Sequence, residues 1–345
     1  MDRRPPVIGL HVRSGSFSDR WVEYCREKGI PFKEVDPFRP DFMQQVEGLK
    51  AFAWHWANYD ARAAQMARQV TYALEAKGLA VFPSSATCWH YDDKVGQKYL
   101  LEAIGAPVPE SWVFYDLKSA LAWVSTAEFP KVFKLRGGGG SDNVRLVKNR
   151  ATARALCRRA FGSGFPSSQS YFHDAATKMR KTRTVGALVA KLRRAPSSIL
   201  DSIRISQALP RSRGYVYFQE FLPDNGFDTR VAVIGDRAFA FTRRNRPGDF
   251  RASGSGDLDH DPSKVDIECV RTAVGVARRL GTQSLAFDFL KDSQSRPVII
   301  EISYCYQAEA VQHCPGCWDP AMNWHEGHVW PQDAILEDLL RSLPR

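Results

Sequence analysis

Short apolar runs alternate with amphipathic segments over the first quarter of the chain. The apolar runs predict buried strands over residues 7–12, 31–35, 51–54 and 80–82. Between them, apolar residues recur with the period of a helix, which predicts helices over residues 20–27, 41–47 and 59–76. Strands that alternate with helices are typical of an open, parallel α/β sheet, so we predict one such domain over residues 1–91.

After residue 91 the pattern changes to helices mixed with antiparallel hairpins, which predicts an α+β arrangement. A helix capped by Asp92 or Asp93 is expected to run to residue 104, with others over residues 117–125 and 151–161. Hairpins are predicted from residues 228–234 with 237–243 and from 284–290 with 298–302. Ser263 is the predicted N-cap of the most regular helix, which Gly281 ends. We therefore expect two further units, over residues 92–218 and 219–345.

Four consecutive glycines, residues 137–140, follow Lys134 and lie between two predicted strands. Glycine can adopt positive φ and lets backbone N–H groups approach an anion closely, and a lysine adds a point charge. One interpretation is therefore a phosphate-binding loop. The other is an ordinary glycine-rich hairpin loop, because the spacing matches neither of the two common nucleotide-binding loops.

Two carboxylates occupy equivalent places on the last predicted hairpin. Asp288 is flanked by phenylalanines, and Glu301 follows an apolar run. A charge within an apolar strand is costly unless it is paired or binds a metal, and Mg²⁺ prefers carboxylate oxygens together with phosphate and water. The pair therefore predicts a magnesium site. The alternative is that each carboxylate faces solvent or pairs with an arginine.

Several arginines lie close in sequence to the predicted hairpin over residues 228–243, namely Arg230, Arg243, Arg246 and Arg251. Guanidinium groups stabilise the charge that develops in phosphoryl or acyl transfer. We therefore take Arg230, Arg243 and Arg251 as candidate catalytic residues, and we expect some of the four arginines to lie at the surface.

The ordered set of these residues resembles the ATP-grasp superfamily, and within it most closely the ribosomal-protein glutamate ligase branch. The set runs in the order Lys94, Lys134 with its glycine loop, Gln219 to Pro223, Asp228 to Arg230, Arg243, Asp249 to Arg251, Asp288 and Glu301. The resemblance covers about residues 91–304. It implies an ATP-grasp fold with a lid subdomain over residues 92–218 and a magnesium-binding subdomain over residues 219–345, preceded by the α/β domain.

The resemblance also implies a role for each matching residue. The implied ATP-binding residues are Lys94, Lys134, Gly138, Gly139, Ser141, Gln219, Glu220, Phe221, Leu222 and Asp228. Arg230, Arg243 and Arg251 would hold phosphate or the acyl-phosphate intermediate. Two Mg²⁺ ions would be bound by Asp288, Glu301 and Ser303, where Ser303 stands at a position that is Asn in many members.

The implied reaction is an ATP-dependent, ADP-forming ligation of a carboxylate to an amine through an acyl phosphate. The carboxylate substrate would be an amino acid, a peptide or a surface-polysaccharide precursor. Two alternatives remain open at this stage: an ATP-grasp kinase, and a nucleotide-gated binding protein that docks an acidic polymer or a membrane surface.

Charge is concentrated in one stretch of a chain whose formal net charge is +10. Residues 162–214 contain ten Lys and Arg but only two acids, Asp174 and Asp201. This insertion is a candidate site for an acidic polymer or an anionic membrane surface, and the alternative is a solvated loop. Nucleic acid is a less favoured partner because few aromatic side chains accompany the charge.

Two aromatic segments invite a functional interpretation. Residues 54–58 (Trp-His-Trp-Ala-Asn) follow a predicted strand and are expected either to touch a substrate or to pack against a neighbouring domain. Near the C-terminus, Cys314, Cys317, His325 and His328 resemble zinc spacing, but the gap between the pairs is short and three tryptophans surround them. A packed aromatic segment is therefore favoured over a zinc site.

The remaining composition bears on location and assembly. Seven scattered cysteines, an odd number, cannot form a complete disulfide framework and favour a reducing cytosol. The apolar run near the N-terminus is too short for a signal sequence, and no apolar run approaches the length of a membrane span. We expect a cytoplasmic protein. A homo-oligomer is also expected, although no sequence feature supports it.

Overall fold

The structure of the chain is a computed structural model that describes residues 7–58, 60–138, 143–166, 211–246, 249–252 and 256–343. Two compact units are present. The first combines residues up to 57, residues 62–91 and residues from 225 onward, and the second combines residues 58–61 with residues 92–224. The predicted division into three domains stays a prediction.

The N-terminal part of the first unit is a four-stranded parallel sheet. Its strands are β1 (Ile8–Leu10), β2 (Phe32–Glu34), β3 (Ala51–Ala53) and β4 (Ala80–Phe82), in the order β2-β1-β3-β4. The helices are α1 (Phe17–Lys28), α2 (Phe42–Gln45), α3 (Ala61–Ala76) and α4 (Ser85–Cys88). All pairings are parallel, which confirms the predicted open α/β sheet.

The second unit contains a four-stranded antiparallel sheet and three helices. In chain order these are α5 (Lys94–Ala103), β5 (Ser111–Phe114), α6 (Leu117–Thr126), β6 (Lys131–Lys134), β7 (Val144–Val147), α7 (Arg150–Phe161) and β8 (Val216–Glu220). The strand order is β5-β8-β6-β7. A core that includes Phe133, Phe218, Leu156 and Ala120 fills one face of the sheet, where α6 and α7 pack. Because side chains alternate along a strand, the residues next to Phe133 and Phe218 point to the opposite face of the sheet.

The rest of the first unit is a seven-stranded antiparallel sheet. Its strands are β9 (Phe227–Ile234), β10 (Arg237–Arg244), β11 (Leu258–Asp259), β12 (Ser284–Lys291), β13 (Pro297–Ser303), β14 (Gly316–Trp318) and β15 (Trp324–Glu326). The order is β13-β12-β9-β10-β14-β15, and β11 pairs with β10. Both predicted hairpins are present, and the aromatic tail adds β14 and β15 to the same sheet.

Three helices accompany this sheet, and one corrects a predicted boundary. They are α8 (Ile267–Leu280), α9 (Ala308–Gln312) and α10 (Pro331–Arg341). Ser263 does not cap α8: it lies in a 3₁₀ turn over Pro262–Lys264, and Asp266 is the N-cap, accepting from the Glu268 N–H at 2.9 Å. The end at Gly281 is confirmed by a left-handed φ of 65°.

Helix α10 joins the C-terminal sheet to the N-terminal domain within the first unit. Arg20 on α1 donates to Asp333 at 2.8 and 2.7 Å, and the Trp21 indole donates to the Gln332 carbonyl at 3.0 Å. Tyr24 donates to Glu337 at 2.7 Å. These contacts fix the parallel sheet and the seven-stranded sheet in one unit.

Two chain-wide features complete the description. All seven cysteines lie in the described ranges and are free thiols. Among the described residues, no helix is both long enough and apolar enough to cross a membrane. The predicted cytoplasmic location and the predicted oligomer stay predictions.

Candidate active site

Six of the predicted site residues lie on one face of the seven-stranded sheet. Asp288 on β12 is in register with Arg230 on β9 and with Glu301 on β13. Arg243 on β10 is in register with Asp228 on β9. Residues that pair across strands share a face, as do residues two apart along a strand, so Ser303 lies on this face as well. We call these six residues the acid–arginine face.

Four of these side chains form a continuous ion-pair network. Arg230 donates from Nε and Nη2 to the two Asp288 oxygens at 2.7 and 2.8 Å. Arg243 makes a similar two-bond pair with Asp228 at 2.7 and 2.6 Å, and its Nη2 also lies 2.8 Å from Asp288 Oδ2. Asp228, Arg243 and Asp288 are buried. The alternative considered for Asp288, that it pairs with arginine, is therefore what the structure shows.

The network fixes the charge state of its central acid. Burial alone would raise the pKa of the Asp288 carboxyl, but Arg230 and Arg243 together outweigh burial and hold that pKa well below its usual range. Arg243 responds in the opposite sense: burial lowers its pKa, but Asp288 and Asp228 outweigh burial and raise the pKa overall. Asp288 and Arg243 are therefore charged at neutral pH. Burial raises the pKa of the Asp228 carboxyl, even though Arg243 acts in the opposite direction.

The acid–arginine face has room in its carboxylate oxygens for one Mg²⁺ ion. A carboxylate has about four lone-pair sites, and the three guanidinium bonds at Asp288 leave about one for an ion. Glu301 lies directly opposite, and Mg²⁺ typically takes one or two protein carboxylates with phosphate and water. The pair therefore fits one ion. Ser303 is engaged locally: it donates to the Cys305 carbonyl at 2.9 Å and accepts from the Cys305 N–H at 3.2 Å.

The second unit presents a different set of predicted residues around the start of the glycine loop. The Lys94 ammonium donates to the Gly138 carbonyl at 2.7 Å, and the Gly138 N–H donates to Asp92 Oδ1 at 2.6 Å. The Asn143 amide donates to the Gly137 carbonyl at 2.6 Å. Gly138 has a φ of 105°, and a β-carbon there would overlap Nδ2 of Asn143. Only glycine suits this position.

A second layer ties the same segment to the start of α5. Asp93 caps α5, accepting from the Gly96 N–H at 2.8 Å, and also binds Arg136 at 2.5 Å. The Arg136 N–H donates to the Tyr215 hydroxyl at 2.6 Å. We call residues 92–94, 136–138 and 143 the loop root. The sequence indicated Asp92 and Asp93 only as helix caps, so their contact with the loop was missed.

The face of the second unit's sheet opposite α6 and α7 carries two further predicted residues. Lys134 is in register with Tyr217, and Val132 with Gln219, so Lys134 and Gln219 share the face opposite α6 and α7. Both are buried, and Gln219 donates to Ser111 Oγ at 3.1 Å and to the Tyr217 hydroxyl at 3.3 Å. Glu220 has the opposite parity and is exposed. Phe221 is half-buried and Leu222 is buried.

No family model matches the chain. A protein of Shewanella amazonensis named "Probable alpha-L-glutamate ligase 2" is 24% identical over 194 residues, which is 51% of this chain and 62% of that protein. A protein of Cellvibrio japonicus named "Probable alpha-L-glutamate ligase" is 26% identical over 252 residues, 68% of this chain and 77% of that protein. The chain thus spans about three fifths of the length of the first of these relatives.

Solved structures identify the architecture. A RimK domain ATP-grasp protein from Sphaerobacter thermophilus aligns with a TM-score of 0.54 at 15% identity, over 97% of this chain and 100% of that one. The chain has the ATP-grasp fold. The fold implied by the ordered residue set is therefore confirmed, while the individual roles of the residues stay predictions.

Other predicted site residues make a local contact or lie outside the described ranges. Arg251 pairs with Asp249, two residues away in its own loop, with its Nε 2.8 Å from Oδ1. Gly139 and Ser141 lie outside the described residues, and so do residues 167–210 of the basic insertion. The ends of that insertion are described: Phe165 and Ser212 exchange two backbone hydrogen bonds of 2.9 Å. The polymer and membrane interpretations stay predictions.

The two aromatic segments have packing roles. Trp54, His55 and Trp56 are buried, and His55 stacks on Phe17 with ring centroids 3.8 Å apart. Tyr304, which follows β13, donates its hydroxyl hydrogen to the Trp56 carbonyl. Residues 54–57 therefore pack within the first unit, which agrees with the packing interpretation.

The four residues with zinc-like spacing do not converge on a metal. Cys314 is buried with its thiol 3.6 Å from the Ala240 carbonyl. His325 contacts Asp319 at 3.1 Å, and His328 contacts the Gln312 carbonyl at 2.9 Å. Within the described ranges, no three His, Cys, Asp or Glu side chains are grouped so as to hold a metal. The packed-segment interpretation is favoured.

Proposed function

We propose that this ATP-grasp protein is an ADP-forming ligase that joins the carboxylate of an amino acid or peptide to an amine. The observation that carries the proposal is the acid–arginine face, where Arg230, Arg243, Asp288 and Glu301 lie together on one sheet. The names of the two relatives support the same class of reaction. A surface-polysaccharide precursor is the remaining candidate for the carboxylate substrate.

The reaction would proceed in two steps. The substrate carboxylate attacks the γ-phosphorus of ATP and ADP leaves, and the amine then attacks the acyl phosphate so that inorganic phosphate leaves. Arg230 and Arg243 would offset the negative charge on the transferred phosphoryl group. Because Asp228 and Asp288 already hold both guanidinium groups, little reorganisation would be needed when substrate arrives.

The other predicted residues would serve ATP. Lys134 and Gln219 would contact the nucleotide from the face of the second unit's sheet opposite α6 and α7, and Lys94 would hold the loop root through the Gly138 carbonyl. Asp288 and Glu301 would hold Mg²⁺, which supplies charge neutralisation for the phosphates. A second ion would require Ser303 to exchange its bond to Cys305.

The proposal is tested by measuring ADP release from ATP with Mg²⁺ and a panel of amino acids, dipeptides and amines, with mass spectrometry of the products. We expect an amide-linked product whose formation is abolished in Glu301→Gln. The matched control is Glu326→Gln, at an exposed carboxylate on the edge strand β15. Full activity of Glu301→Gln would show that the metal assignment is wrong. A phosphorylated product that is never joined to an amine would identify a kinase instead.

A further inference from the structure

The surface of the second unit around α7 carries a concentration of positive charge that the proposed reaction does not use. Residues 143–166 and 211–214 contain no Asp or Glu. Their Lys and Arg residues are all exposed, and we call them the basic surface: Arg145, Lys148, Arg150, Arg154, Arg158, Arg159, Arg211 and Arg213. Within the described parts of the chain, none of these side chains is ion-paired with a carboxylate. The charge of this surface is therefore open to a partner.

Helix α7 arranges three of these arginines in a row. Arg150, Arg154 and Arg158 are four residues apart, so they lie along the same side of the helix with a spacing of about 6 Å along its axis. The side of α7 that packs in the core carries small and apolar residues, namely Ala153, Leu156, Cys157 and Ala160. Because this packing fixes the helix, the three arginines form a regular row on its exposed side.

Backbone carbonyl groups orient two further arginines at the C-terminal end of α7. Arg159 donates from Nε to the Gly164 carbonyl at 3.2 Å. Arg211 donates to the same carbonyl at 3.1 Å and to the Ser163 carbonyl at 2.7 Å. The Arg159 guanidinium also lies 4.6 Å from the centre of the Phe165 ring. Carbonyl groups and an aromatic ring carry no formal charge, so these contacts position the two guanidinium groups without neutralising them.

The composition of the basic surface favours a partner that carries phosphate groups. All but one of its charged residues are arginines, whose planar guanidinium groups can donate two parallel hydrogen bonds to a phosphate. None of the exposed side chains in residues 143–166 and 211–214 is aromatic or a branched aliphatic chain. The surface therefore has no side chain to insert into a membrane and none on which the bases of a single strand could stack.

The rigidity of the arginine row favours a duplex over a flexible polyanion. A duplex holds its phosphates on a rigid helix and its bases already stacked, so it needs no aromatic partner on the protein. A flexible acidic polypeptide would instead lose conformational entropy when it is ordered along the same row. The basic surface therefore matches the phosphate backbone of a double-stranded nucleic acid best.

The way in which α7 packs favours RNA over DNA. One side of α7 lies against the sheet, so the helix does not protrude as a helix that enters the major groove of DNA must. The minor groove of A-form RNA is wide and shallow, and proteins bind it through phosphates and 2′-hydroxyl groups. A helix that lies on the surface of a domain can contact such a groove without penetrating it.

We propose that the basic surface binds double-stranded RNA by its backbone, with Arg150, Arg154 and Arg158 contacting phosphates along the minor groove. Helix α7 packs on the face of the sheet opposite Lys134 and Gln219, so bound RNA would not occupy the face assigned to ATP. The inference goes beyond the proposed ligase activity and does not depend on it.

The test measures binding of a labelled RNA duplex of about 20 base pairs by fluorescence anisotropy, at several salt concentrations between about 50 and 200 mM. We expect binding whose affinity falls steeply as salt rises, because arginines that contact phosphates release counterions. Absence of binding at the lowest salt concentration would overturn the inference.

A triple variant locates the binding surface. R150Q/R154Q/R158Q keeps good helix-forming residues and should weaken RNA binding about tenfold or more, while the slope of log affinity against log salt falls by about 2–3. The control is R271Q/R278Q/R279Q, which removes the same number of exposed arginines from α8 and should leave the affinity within about twofold of wild type. Urea denaturation verifies that both variants are folded. Wild-type affinity in the α7 variant, or an equal loss in the control, would overturn the assignment.

Three competitors identify the class of partner. They are a DNA duplex of the same sequence, polyglutamate, and vesicles that contain phosphatidylserine, and each is expected to bind more weakly than the RNA duplex. If any of them binds as tightly as RNA and loses affinity in the α7 variant, the choice of RNA is wrong. ADP release is measured on the same preparations and should be equal in wild type and the α7 variant. Absence of ADP release in all proteins would overturn the ligase and leave RNA binding intact.

Discussion

The acid–arginine face and the loop root hold their charged residues by different means. On the acid–arginine face, Arg243 and Arg230 are neutralised by Asp228 and Asp288, so side chains satisfy side chains across three strands. At the loop root, Lys94 and Asp92 bind the backbone of Gly138, so side chains determine the path of the main chain. Removal of one partner on the acid–arginine face should therefore lower the free energy of unfolding. Removal of one partner at the loop root should instead change the path of the glycine loop.

The largest expected effect is on the acid–arginine face. Arg243→Met leaves the buried Asp228 carboxylate without its two-bond partner, and we expect the free energy of unfolding to fall by about 3–5 kcal/mol. Urea denaturation monitored by circular dichroism measures the change. Arg244→Met, at the exposed neighbour on the same strand, is the matched control and should change stability by less than about 0.5 kcal/mol. Equal losses in the two variants would show that the network does not stabilise the fold.

The next effect depends on pH and concerns His55, which belongs to neither cluster. Burial, with the charge of Arg13, lowers its pKa to about 3, so the folded state stays neutral while the unfolded state takes up a proton below about pH 6.5. Stability is therefore unaffected above that pH and declines as pH falls from about 6.5 toward 3. Between pH 7 and pH 5 the wild type should lose about 2 kcal/mol more than His55→Gln. Parallel stability curves for the two proteins would contradict the assigned burial.

A smaller effect is expected at the loop root. Gly138→Ala places a β-carbon at a φ of 105° against Asn143, so we expect a loss of about 1–2 kcal/mol together with weaker ATP binding. Gly226→Ala is the control, because that glycine has open space around its α-carbon. Fluorescence titration with an ATP analogue and urea denaturation separate the two effects. ATP affinity that is unchanged in Gly138→Ala would show that the root does not position the loop for nucleotide.

Features that depend on local sequence could be predicted from it. The alternation of apolar runs and amphipathic segments in the first ninety residues predicted the parallel sheet. The turn residues at 235–236 predicted the hairpin of β9 and β10. The opposition of Asp288 and Glu301 followed because one short hairpin joins their strands. The N-cap of α8 was wrong because Ser263 and Asp266 both suit a cap and lie only three residues apart.

Features that depend on the register of distant strands could not be predicted. The contact of Asp288 with Arg230 joins residues 58 apart in sequence, and it exists because β12 pairs with β9 as well as with β13. No periodicity encodes that choice. The same reason applies to the pairing of β14 with β10. It also applies to the hydrogen bond from the Phe17 N–H to His55 Nδ1, which joins residues that are distant in sequence.

The smallest change in stability is expected for Arg251. Arg251 and its partner Asp249 lie two residues apart in one loop, so removing the pair exposes no buried charge, and Arg251→Gln should change the free energy of unfolding by less than about 0.5 kcal/mol. Its role implied by the ATP-grasp resemblance, contact with phosphate, predicts instead a selective loss of turnover of about tenfold or more. Urea denaturation and ADP release measured on the same preparation test both statements. A variant that is fully active as well as fully stable would restrict the phosphate-binding arginines to Arg230 and Arg243, because those two are held on the acid–arginine face while Arg251 is not.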